Sequence, residues 1–379
     1  MSFRDSKLAV VMGGGGARAA YQVGVLRSLA RLHPDLEVPY LTGISAGAIN
    51  AGHMANSTAA LPEKVEALVA LWSSLECKDV FEVSGPALLW HAARVSARFV
   101  MGARQTATPV QGLVNTAPLR RFLMKAMGTA TGQLPGVARN LSSGKLRAVA
   151  LTATRYNTGQ TVTFFSGADI EAWERPQRRS QRTHLTVDHI MASAALPLFF
   201  PAVQIGADWF GDGGIRMVAP LAPALHMGAD RILALSTRYG RTKEEANRPS
   251  FNGAPSPAQV LGVLHNAIFL DILDQDVIQM QRINALLRQL PEPKFGSLNE
   301  VRVMVVRPSR DLGRLADDFE PELPSAFRFL TRRLGTRQAR SQDLLSTVMF
   351  QPNYVRRLIE LGEEDGERRA NELGEFLAD

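Results

Sequence analysis

The N-terminal part of the chain alternates short apolar runs with stretches of helical periodicity. Residues 7–12 predict a short buried strand, and residues 17–32 predict a helix because their apolar side chains recur three and four positions apart. The stretch VPYLTGISAGAINAGHMA repeats the scheme, with a strand ending at Thr42, a glycine turn, and a helix from about Ala46. Strand, turn and helix twice in succession indicate the opening of a parallel α/β sheet.

The middle of the chain predicts further helices and strands around that sheet. Helices are expected at residues 62–76, 86–102, 117–127 and 134–142. Two extended runs, residues 145–156 and 159–167, predict a hairpin that turns at Asn157 to Gly159. The stretch PAVQIGADWFGDGG predicts a pair of strands, and RILALST predicts one more buried strand.

The stretch TVDHIMASAALP lies between the hairpin and the pair of strands. It predicts a helix that begins at a cap formed by Thr186 or Asp188 and stops at Pro197.

The composition changes after about Gly240, where RTKEEANRPSFNGAPSPAQ is polar and rich in proline. Beyond it we expect a long helix at residues 258–289, an extended run VRVMVVRPS, and two further helical stretches that end in an acidic tail. We therefore predict two parts. Residues 1–240 carry the chemistry, and residues 241–379 form a mostly helical C-terminal extension that could serve dimerisation, membrane docking or packing.

Composition excludes several classes of protein. With 45% hydrophobic and 21% charged residues in 379, the chain has the balance of an ordinary globular protein. No apolar run reaches the roughly 18 to 20 residues that a membrane-spanning helix needs. The N-terminal apolar run is too short for a signal peptide, and Cys77 is the only cysteine. We expect a cytoplasmic protein without disulfides.

The formal net charge of +7 favours anionic partners. Two arginine-rich clusters, Glu174 to Arg182 and Arg332 to Arg340, carry part of this charge. Aromatic residues do not interleave with these arginines, as a platform for stacked bases would require. A lipid surface is therefore expected as a peripheral partner, and nucleic acid is not.

The run of glycines after the first strand indicates a ligand close to the backbone. A phosphate-binding P-loop is excluded because no Gly-Lys-Ser/Thr follows. A dinucleotide site matches Gly14, Gly16 and Ala19, with Asp35 or Glu37 as the acidic residue, although both precede the second strand. A third interpretation is an oxyanion hole, in which backbone N–H groups at a helix N-terminus stabilise a negative oxygen.

The pentapeptide GISAG supplies the nucleophile that an oxyanion hole requires. Ser45 lies between Gly43 and Gly47 in a G-x-S-x-G elbow, at the predicted junction of strand and helix. The elbow holds its serine in a sharp turn, so the residues two positions away must be small.

A base must accept the proton of this serine. Asp212 in WFGDGG could act alone, since the glycines leave its carboxylate unobstructed and the neighbouring aromatic residues would raise its pKa by burial. Alternatively Asp212 could act through His226 or His265, in the order of an α/β-hydrolase triad. The residues alone leave both bases open.

Together these motifs resemble the patatin-like phospholipase family of serine acyl hydrolases. That family has a glycine-rich oxyanion loop with a basic residue, then G-x-S-x-G, then D-G-G or D-G-A, and the match covers about residues 7–237. The resemblance implies a three-layer α/β/α sandwich with a mainly parallel central sheet, and a dyad of Ser45 and Asp212 without histidine. The implied oxyanion hole comprises Gly14, Gly15, Gly16, Ala17 and Arg18, and neither a cofactor nor a metal is implied.

The function expected from this resemblance is hydrolysis of lipid acyl esters, of the phospholipase A or lysophospholipase type. Arg18 would orient the loop or meet a lipid phosphate, and Leu88 to Met101 would form an interfacial or cap helix. Two other classes stay open: a dinucleotide-dependent oxidoreductase and a catalytically idle membrane-binding protein of the same fold. The chain could also form a homo-oligomer.

Overall fold

The structure is a computed structural model that describes residues 7–82, 112, 114–247, 254, 257–269, 271–289, 299–323 and 342–378. The predicted helix at 86–102, the interfacial segment Leu88 to Met101 and the cluster Arg332 to Arg340 lie outside these residues. Within the described part of the chain, no helix combines the length and the apolar character needed to cross a bilayer.

The described strands form one sheet of ten strands. They are β1 (Leu8–Met12), β2 (Tyr40–Ile44), β3 (Ala148–Arg155), β4 (Gln160–Gly167), β5 (Glu174–Arg175), β6 (Arg178–Arg182), β7 (Val203–Ile205), β8 (Asp208–Asp212), β9 (Arg231–Leu235) and β10 (Arg302–Val306). The order along the sheet is β10-β9-β1-β2-β3-β4-β6-β5, and β8 pairs with both β3 and β7. The five strands from β10 to β3 are parallel to one another, which confirms the predicted mainly parallel sheet.

The described helices connect these strands. They are α1 (Ala20–Leu32), α2 (Ala46–Asn56), α3 (Leu61–Ser73), α4 (Cys77–Val80), α5 (Ala117–Ala126), α6 (Pro135–Ser142), α7 (Val187–Ser193), α8 (Ala222–His226), α9 (Lys243–Ala246), α10 (Pro257–Phe269), α11 (Ile272–Leu287), α12 (Leu312–Asp317), α13 (Gln342–Val348), α14 (Pro352–Arg368) and α15 (Ala370–Ala378). Short 3-10 turns cover Gly16–Ala19, Gly213–Arg216 and Glu320–Glu322.

Both faces of the sheet are covered, which makes three layers. Along β1, Leu8, Val10 and Met12 pack into one buried cluster, while Ala9 and Val11 pack into another on the opposite face. A strand that is apolar at every position is typical of a parallel sheet between two layers of helices. The predicted α/β/α sandwich is thus confirmed.

The local elements differ from the sequence expectation in two places. The helix predicted from residue 17 begins with the 3-10 turn Gly16–Ala19, and α1 starts at Ala20. The long helix predicted at 258–289 is divided at Asp271 into α10 and α11. The hairpin prediction is confirmed, because β3 and β4 pair antiparallel from Arg155 and Gln160 onwards.

The C-terminal residues complete the same sheet and one of its layers. Strand β10 pairs in parallel with β9, and α14 packs along α1. The two helices cross closely at Gly24, where an added Cβ would lie only 1.9 Å from the Ile359 carbonyl oxygen. The division at residue 240 stays a prediction, and the two parts share one sheet.

Candidate active site

Ser45 stands at the carboxyl end of β2, directly before α2, in a left-handed backbone conformation with φ of 56°. Only close packing makes this conformation possible for a serine. A Cβ at Gly43 would lie 2.5 Å from the Gly47 carbonyl oxygen, and one at Gly47 would lie 2.2 Å from the Met12 carbonyl oxygen. Neither position has room for a side chain larger than that of glycine.

The backbone of Ser45 is held by a residue that the sequence did not single out. The Ser45 N–H donates to Oγ of Ser193 at 2.9 Å, and the Ser193 hydroxyl donates to the Thr152 carbonyl at 2.6 Å. Ser193 is fully buried at the end of α7. Its side chain thus connects the turn at Ser45 to β3.

Strand β3 explains why Ser45 and Asp212 lie together. In the parallel ladder, Ile44 at the end of β2 is opposite Thr152 of β3. In the antiparallel ladder, Asp212 at the end of β8 is opposite Ala153, the next residue of β3. Because β4 occupies the other edge of β3, β2 and β8 approach end to end along the same edge. The two side chains therefore lie at one point of the sheet.

Asp212 is fully buried. Its Oδ1 accepts the Gly214 N–H at 2.8 Å. Among the described residues, no group meets both the distance and the angle of a hydrogen bond to Oδ2. Burial raises the pKa of Asp212 to about 7, against the opposing effects of hydrogen bonding by Ser45 and by the Gly214 N–H. The Ser45 side chain thus lies within hydrogen-bonding reach of this buried carboxyl.

The glycine loop lies against Ser45. A Cβ at Gly14 would lie 2.9 Å from Cβ of Ser45, so that a side chain there would displace the serine. Gly15 and Gly16 have φ of 143° and 57°, conformations that other residues rarely adopt. The loop is fixed by Thr237, whose hydroxyl donates to the Gly14 carbonyl at 2.7 Å.

Arg18 is buried below this loop instead of lying at the surface. Its Nη2 contacts Oδ1 of Asp343 at 2.6 Å, and its Nε donates to Oγ of Ser346 at 2.5 Å. Both partners belong to α13 in the C-terminal part of the chain. Of the two roles expected for Arg18, this geometry fits orientation of the loop and leaves no contact with a lipid phosphate. Ala17, the remaining predicted loop residue, is buried in the same 3-10 turn.

A buried polar chain supports the loop from the helix side. Nε2 of Gln22 donates to the Gly13 carbonyl at 2.8 Å, and Nδ2 of Asn50 donates to Oε1 of Gln22 at 3.0 Å. The Trp72 indole N–H donates to Oδ1 of Asn50 at 2.7 Å. Helices α1, α2 and α3 thereby hold the loop in one geometry.

A narrow apolar pocket opens beside Ser45, Gly15 and Gly16. Its other lining residues are Ala46, Ile49, Leu75, Val80, Leu119, Ala194, Leu196, Phe200, Phe269, Thr347, Val348 and Phe350. Phe81 packs edge-on against Phe199 with ring centroids 5.7 Å apart, and also contacts Phe200 and Phe350. Apart from Ser45, Thr347 and the two glycines, the lining is aliphatic and aromatic.

The structure places the other predicted bases and acids elsewhere. His226 stacks on Trp173 at 4.5 Å between ring centroids, in the cluster on the opposite face of the sheet from α2. The side chain of His265, in α10, lies outside the described residues. Asp35 and Glu37 precede β2, so they lie at the opposite end of that strand from Ser45. They do not face the glycine loop as a dinucleotide site requires.

In the described ranges, no group of three or more His, Cys, Asp or Glu side chains could hold a metal ion.

Comparison with known proteins gives one family match. A family model described as patatin-like phospholipase matches residues 10–225. A search of curated proteins finds no significant match.

Several solved structures are similar at low identity. Human GIVD cytosolic phospholipase A2 is 12% identical, with a TM-score of 0.46, over 98% of this chain and 60% of that one. The same human enzyme in complex with methyl gamma-linolenyl fluorophosphonate gives a TM-score of 0.43 at 12% identity, over 100% of this chain and 60% of that one. VipD from Legionella pneumophila is 11% identical, with a TM-score of 0.41, over 96% of this chain and 66% of that one. The chain thus spans 60% of the length of the human protein.

Proposed function

Because the chain belongs to the patatin-like phospholipase family, we propose that it is a lipid acyl hydrolase in which Ser45 is the nucleophile and Asp212 the general base. The observation that carries this proposal is the meeting of the two side chains on one edge of β3, beside an apolar pocket. Its subtype is proposed as phospholipase A or lysophospholipase.

The reaction follows from the placement of these groups. Oδ2 of Asp212 accepts the Ser45 hydroxyl proton while Oγ attacks the ester carbonyl carbon. Backbone N–H groups of the loop formed by Gly14, Gly15 and Gly16 stabilise the oxyanion, and the helix that follows adds its dipole. The ester bond then breaks, the alcohol leaves with the proton held by Asp212, and an acyl-Ser45 ester remains.

A second half-reaction frees the enzyme. Asp212 accepts a proton from water as the water oxygen attacks the acyl carbonyl, and Ser45 takes that proton back as the fatty acid leaves. The acyl chain occupies the apolar pocket in both halves. No metal or other cofactor takes part in this scheme.

The carboxylate form of Asp212 is required in both halves. Since burial raises the pKa of Asp212 to about 7, we expect kcat/KM for a dispersed soluble ester to rise with pH and to reach a plateau above that value. A pH–rate profile between pH 5 and 9 measures this, and a profile that falls over the same range would contradict the assigned base.

The identity of the dyad is tested with a fluorophosphonate probe that labels activated serines. Wild type is expected to be labelled and to release fatty acid from mixed phospholipid vesicles, whereas Ser45→Ala and Asp212→Asn are expected to do neither. Ser142→Ala, in an exposed serine of α6, is the matched control and is expected to behave as wild type. Labelling that persists in Ser45→Ala would refute the assigned nucleophile.

The proposed partners are an acyl-ester lipid and the surface of the membrane that contains it. The net charge of +7 favours an anionic lipid surface, and the single cysteine fits a cytoplasmic location. Nucleic acid is not a proposed partner, and homo-oligomerisation stays a prediction.

A further inference from the structure

Thr237 lies at the carboxyl edge of the sheet, beside the glycine loop. It comes two residues after β9, which pairs in parallel with β1, the strand that leads into the loop. The intervening residue, Ser236, is tied to β10 because its N–H donates to the Val306 carbonyl at 2.9 Å. Thr237 itself is buried. The position of its side chain is therefore set by the sheet.

The hydroxyl of Thr237 holds one peptide unit of the loop. It donates to the Gly14 carbonyl at 2.7 Å. The two neighbouring carbonyls have other donors, since that of Gly13 accepts from Gln22 and that of Gly15 accepts from the backbone N–H three residues further on. Thr237 is thus the side chain that fixes the peptide unit joining Gly14 to Gly15.

The N–H group of this peptide unit belongs to Gly15. A trans peptide holds its C=O and N–H in opposite directions, so a carbonyl directed at Thr237 directs the Gly15 N–H away from Thr237. Gly15 is buried, and among the described residues no group accepts a hydrogen bond from its N–H. Buried backbone N–H groups without a partner are rare in folded proteins. This one indicates a place for an acceptor that the chain itself does not supply.

This N–H group belongs to a residue that lines the pocket beside Ser45. Gly15 and Ser45 line the same pocket, and a Cβ added at Gly14 would lie 3.5 Å from Oγ of Ser45. If Oγ attacks an ester there, the carbonyl oxygen of that ester takes up negative charge next to the loop and needs donors that are already in position.

The rest of the Thr237 side chain also lies close to Gly15. A Cβ added at Gly15 would lie 2.6 Å from Oγ1 of Thr237 and 3.3 Å from its Cγ2. Gly15 has φ of 143°, which a residue with a side chain rarely adopts. Thr237 therefore both bonds the Gly14 carbonyl and packs against the next α-carbon.

We infer that Thr237 is a positioning residue that orients the Gly15 N–H toward the oxyanion of the proposed reaction. The inference rests on the proposed function, in which attack by Ser45 creates that oxyanion. The Thr237 hydroxyl acts through the Gly14 carbonyl and not on the substrate. Thr237 also lies outside the region that matches the family model, residues 10–225.

Two substitutions separate the hydroxyl from the rest of the side chain. Thr237→Val removes the hydroxyl and keeps a branched side chain, whereas Thr237→Ser keeps the hydroxyl. Loss of one oxyanion donor typically lowers kcat by about 10²- to 10³-fold. Since Thr237→Val misdirects a donor without removing it, we expect kcat for a dispersed short-chain ester to fall about 10- to 100-fold, with KM changed by less than about twofold.

Thr237→Ser is expected to restore kcat to within about threefold of wild type. Ser166→Ala is the control, because Ser166 also has a buried hydroxyl that donates to a carbonyl, that of Thr183, and it is expected to keep the kcat of wild type. If Thr237→Val does not fold, Thr237→Ala lacks the same hydroxyl without added bulk and is expected to show the same loss.

Inhibition by a short-chain trifluoromethyl ketone distinguishes loss of the oriented donor from a general loss of fold. Oγ of Ser45 adds to the ketone carbonyl carbon, the hydroxyl proton passes to Asp212, and the ketone oxygen becomes an anion held by the loop. The inhibition constant is therefore expected to rise in Thr237→Val by the same factor by which kcat/KM falls. In Ser166→Ala it is expected to stay constant.

Hydrogen exchange of the loop gives a measurement that does not depend on activity. Backbone N–H groups of residues 13–16, followed by mass spectrometry, are expected to exchange faster in Thr237→Val and at the wild-type rate in Thr237→Ser. A wild type that cleaves no ester would refute the proposed function and the oxyanion with it. The exchange difference would then still show whether Thr237 holds the loop.

Two results would overturn the inference and leave the proposed function intact. The first is a Thr237→Val protein that cleaves the ester and binds the ketone as wild type does. The second is an equal loss of kcat in Thr237→Ser, which would assign the effect to the lost methyl group and not to the hydroxyl.

Discussion

At the residue scale, Ser193 holds the backbone turn of Ser45, the proposed nucleophile. It accepts the Ser45 N–H and donates to the Thr152 carbonyl. Ser45 has φ of 56°, and a strained turn persists only where surrounding bonds determine it. Ser193 is therefore a positioning residue for the proposed reaction.

Replacing Ser193 by alanine tests this role. The Ser45 N–H would be left buried and unpaired, at a cost of about 1–3 kcal/mol, and the elbow would relax. We expect kcat for a dispersed ester to fall about 10- to 100-fold with a much smaller change in KM, because the pocket itself is untouched. Ser166→Ala is the control. Ser166 lies on β4 and its hydroxyl donates to the Thr183 carbonyl, so the variant should lose stability without this loss of kcat.

Asp212 is expected to lower the free energy of unfolding at the pH values at which the proposed reaction is fastest. Its pKa is about 7 in the folded chain, against an ordinary 3.8. The folded state therefore holds a proton that the unfolded state releases between these values, so stability falls as pH rises through that window. The buried carboxylate is fully ionised only above it.

Asp212→Asn removes this pH dependence while keeping an oxygen for the Gly214 N–H. Relative to wild type, the free energy of unfolding of the variant is expected to increase by about 3 kcal/mol between pH 5 and pH 8. Urea denaturation at the two pH values measures it. Glu63→Gln, in an exposed carboxyl of α3, controls for the loss of one charge, and a gain of equal size there would contradict the assigned cause.

The candidate residues could be predicted from local sequence, but their supports could not. A G-x-S-x-G elbow and an Asp-Gly-Gly turn impose backbone geometry within five residues, so their glycines make Ser45 and Asp212 candidates, and the family resemblance selects this pair. Ser193 lies in MASAALP, where nothing in the spacing separates it from any other helical serine. Its role arises only from the approach of α7 to β3.

At the element scale, β3 is the strand that brings β2 and β8 together. Its edge is shared by β2 and β8, so Ser45 and Asp212 meet although 166 residues separate them, as their sequence numbers show. Hydrophobic patterning predicted each of these strands. It could not predict their order, because the pattern of a strand indicates which faces are buried and not which neighbour it pairs with.

The connection between the glycine loop and α13 is a second element-scale feature. Burial alone would raise the pKa of Asp343, but Arg18 and Asn266 hold it below its usual value. Oδ1 of Asp343 contacts Arg18, and Oδ2 accepts from Asn266 of α10 at 2.5 Å. The loop, α10 and α13 are thus joined through one carboxylate.

Asp343→Asn is expected to disturb both the fold and the reaction. The variant would leave the Arg18 guanidinium buried without a counter-ion, which costs on the order of 3 kcal/mol. We also expect kcat for a dispersed ester to fall, because the loop loses its anchor. Urea denaturation and steady-state kinetics measure the two effects. Glu66→Gln breaks the exposed pair of Arg27 and Glu66 and should cost less than about 1 kcal/mol; equal effects of the two substitutions would refute the anchor.

At the scale of the whole molecule, the C-terminal residues are part of the sheet and of the site. Strand β10 extends the sheet beyond β9, and Thr347 of α13 lines the pocket beside Ser45 and Gly16. The change of composition after Gly240 marks a polar stretch of chain, and the predicted boundary there stays a prediction. Sequence patterning could not show that the chain returns to the sheet afterwards, since parallel pairing between distant strands has no local signature.

The crossing of α1 and α14 is where this return is most sensitive to substitution. A Cβ at Gly362 would lie 2.1 Å from the Tyr21 carbonyl oxygen, so Gly362→Ala must push the two helix backbones apart. We expect a loss of about 1–3 kcal/mol in the free energy of unfolding, measured by urea denaturation. Esterase activity should fall as well, because α1 continues directly from the glycine loop.

Gly374→Ala in α15 is the control. Nothing lies within 4 Å of its added methyl group, so this substitution should instead stabilise the protein by up to about 1 kcal/mol. If both substitutions stabilised the protein, α14 could not be packed on α1 at this distance, and the contribution of the C-terminal part to the site would have to be assigned to α13 alone.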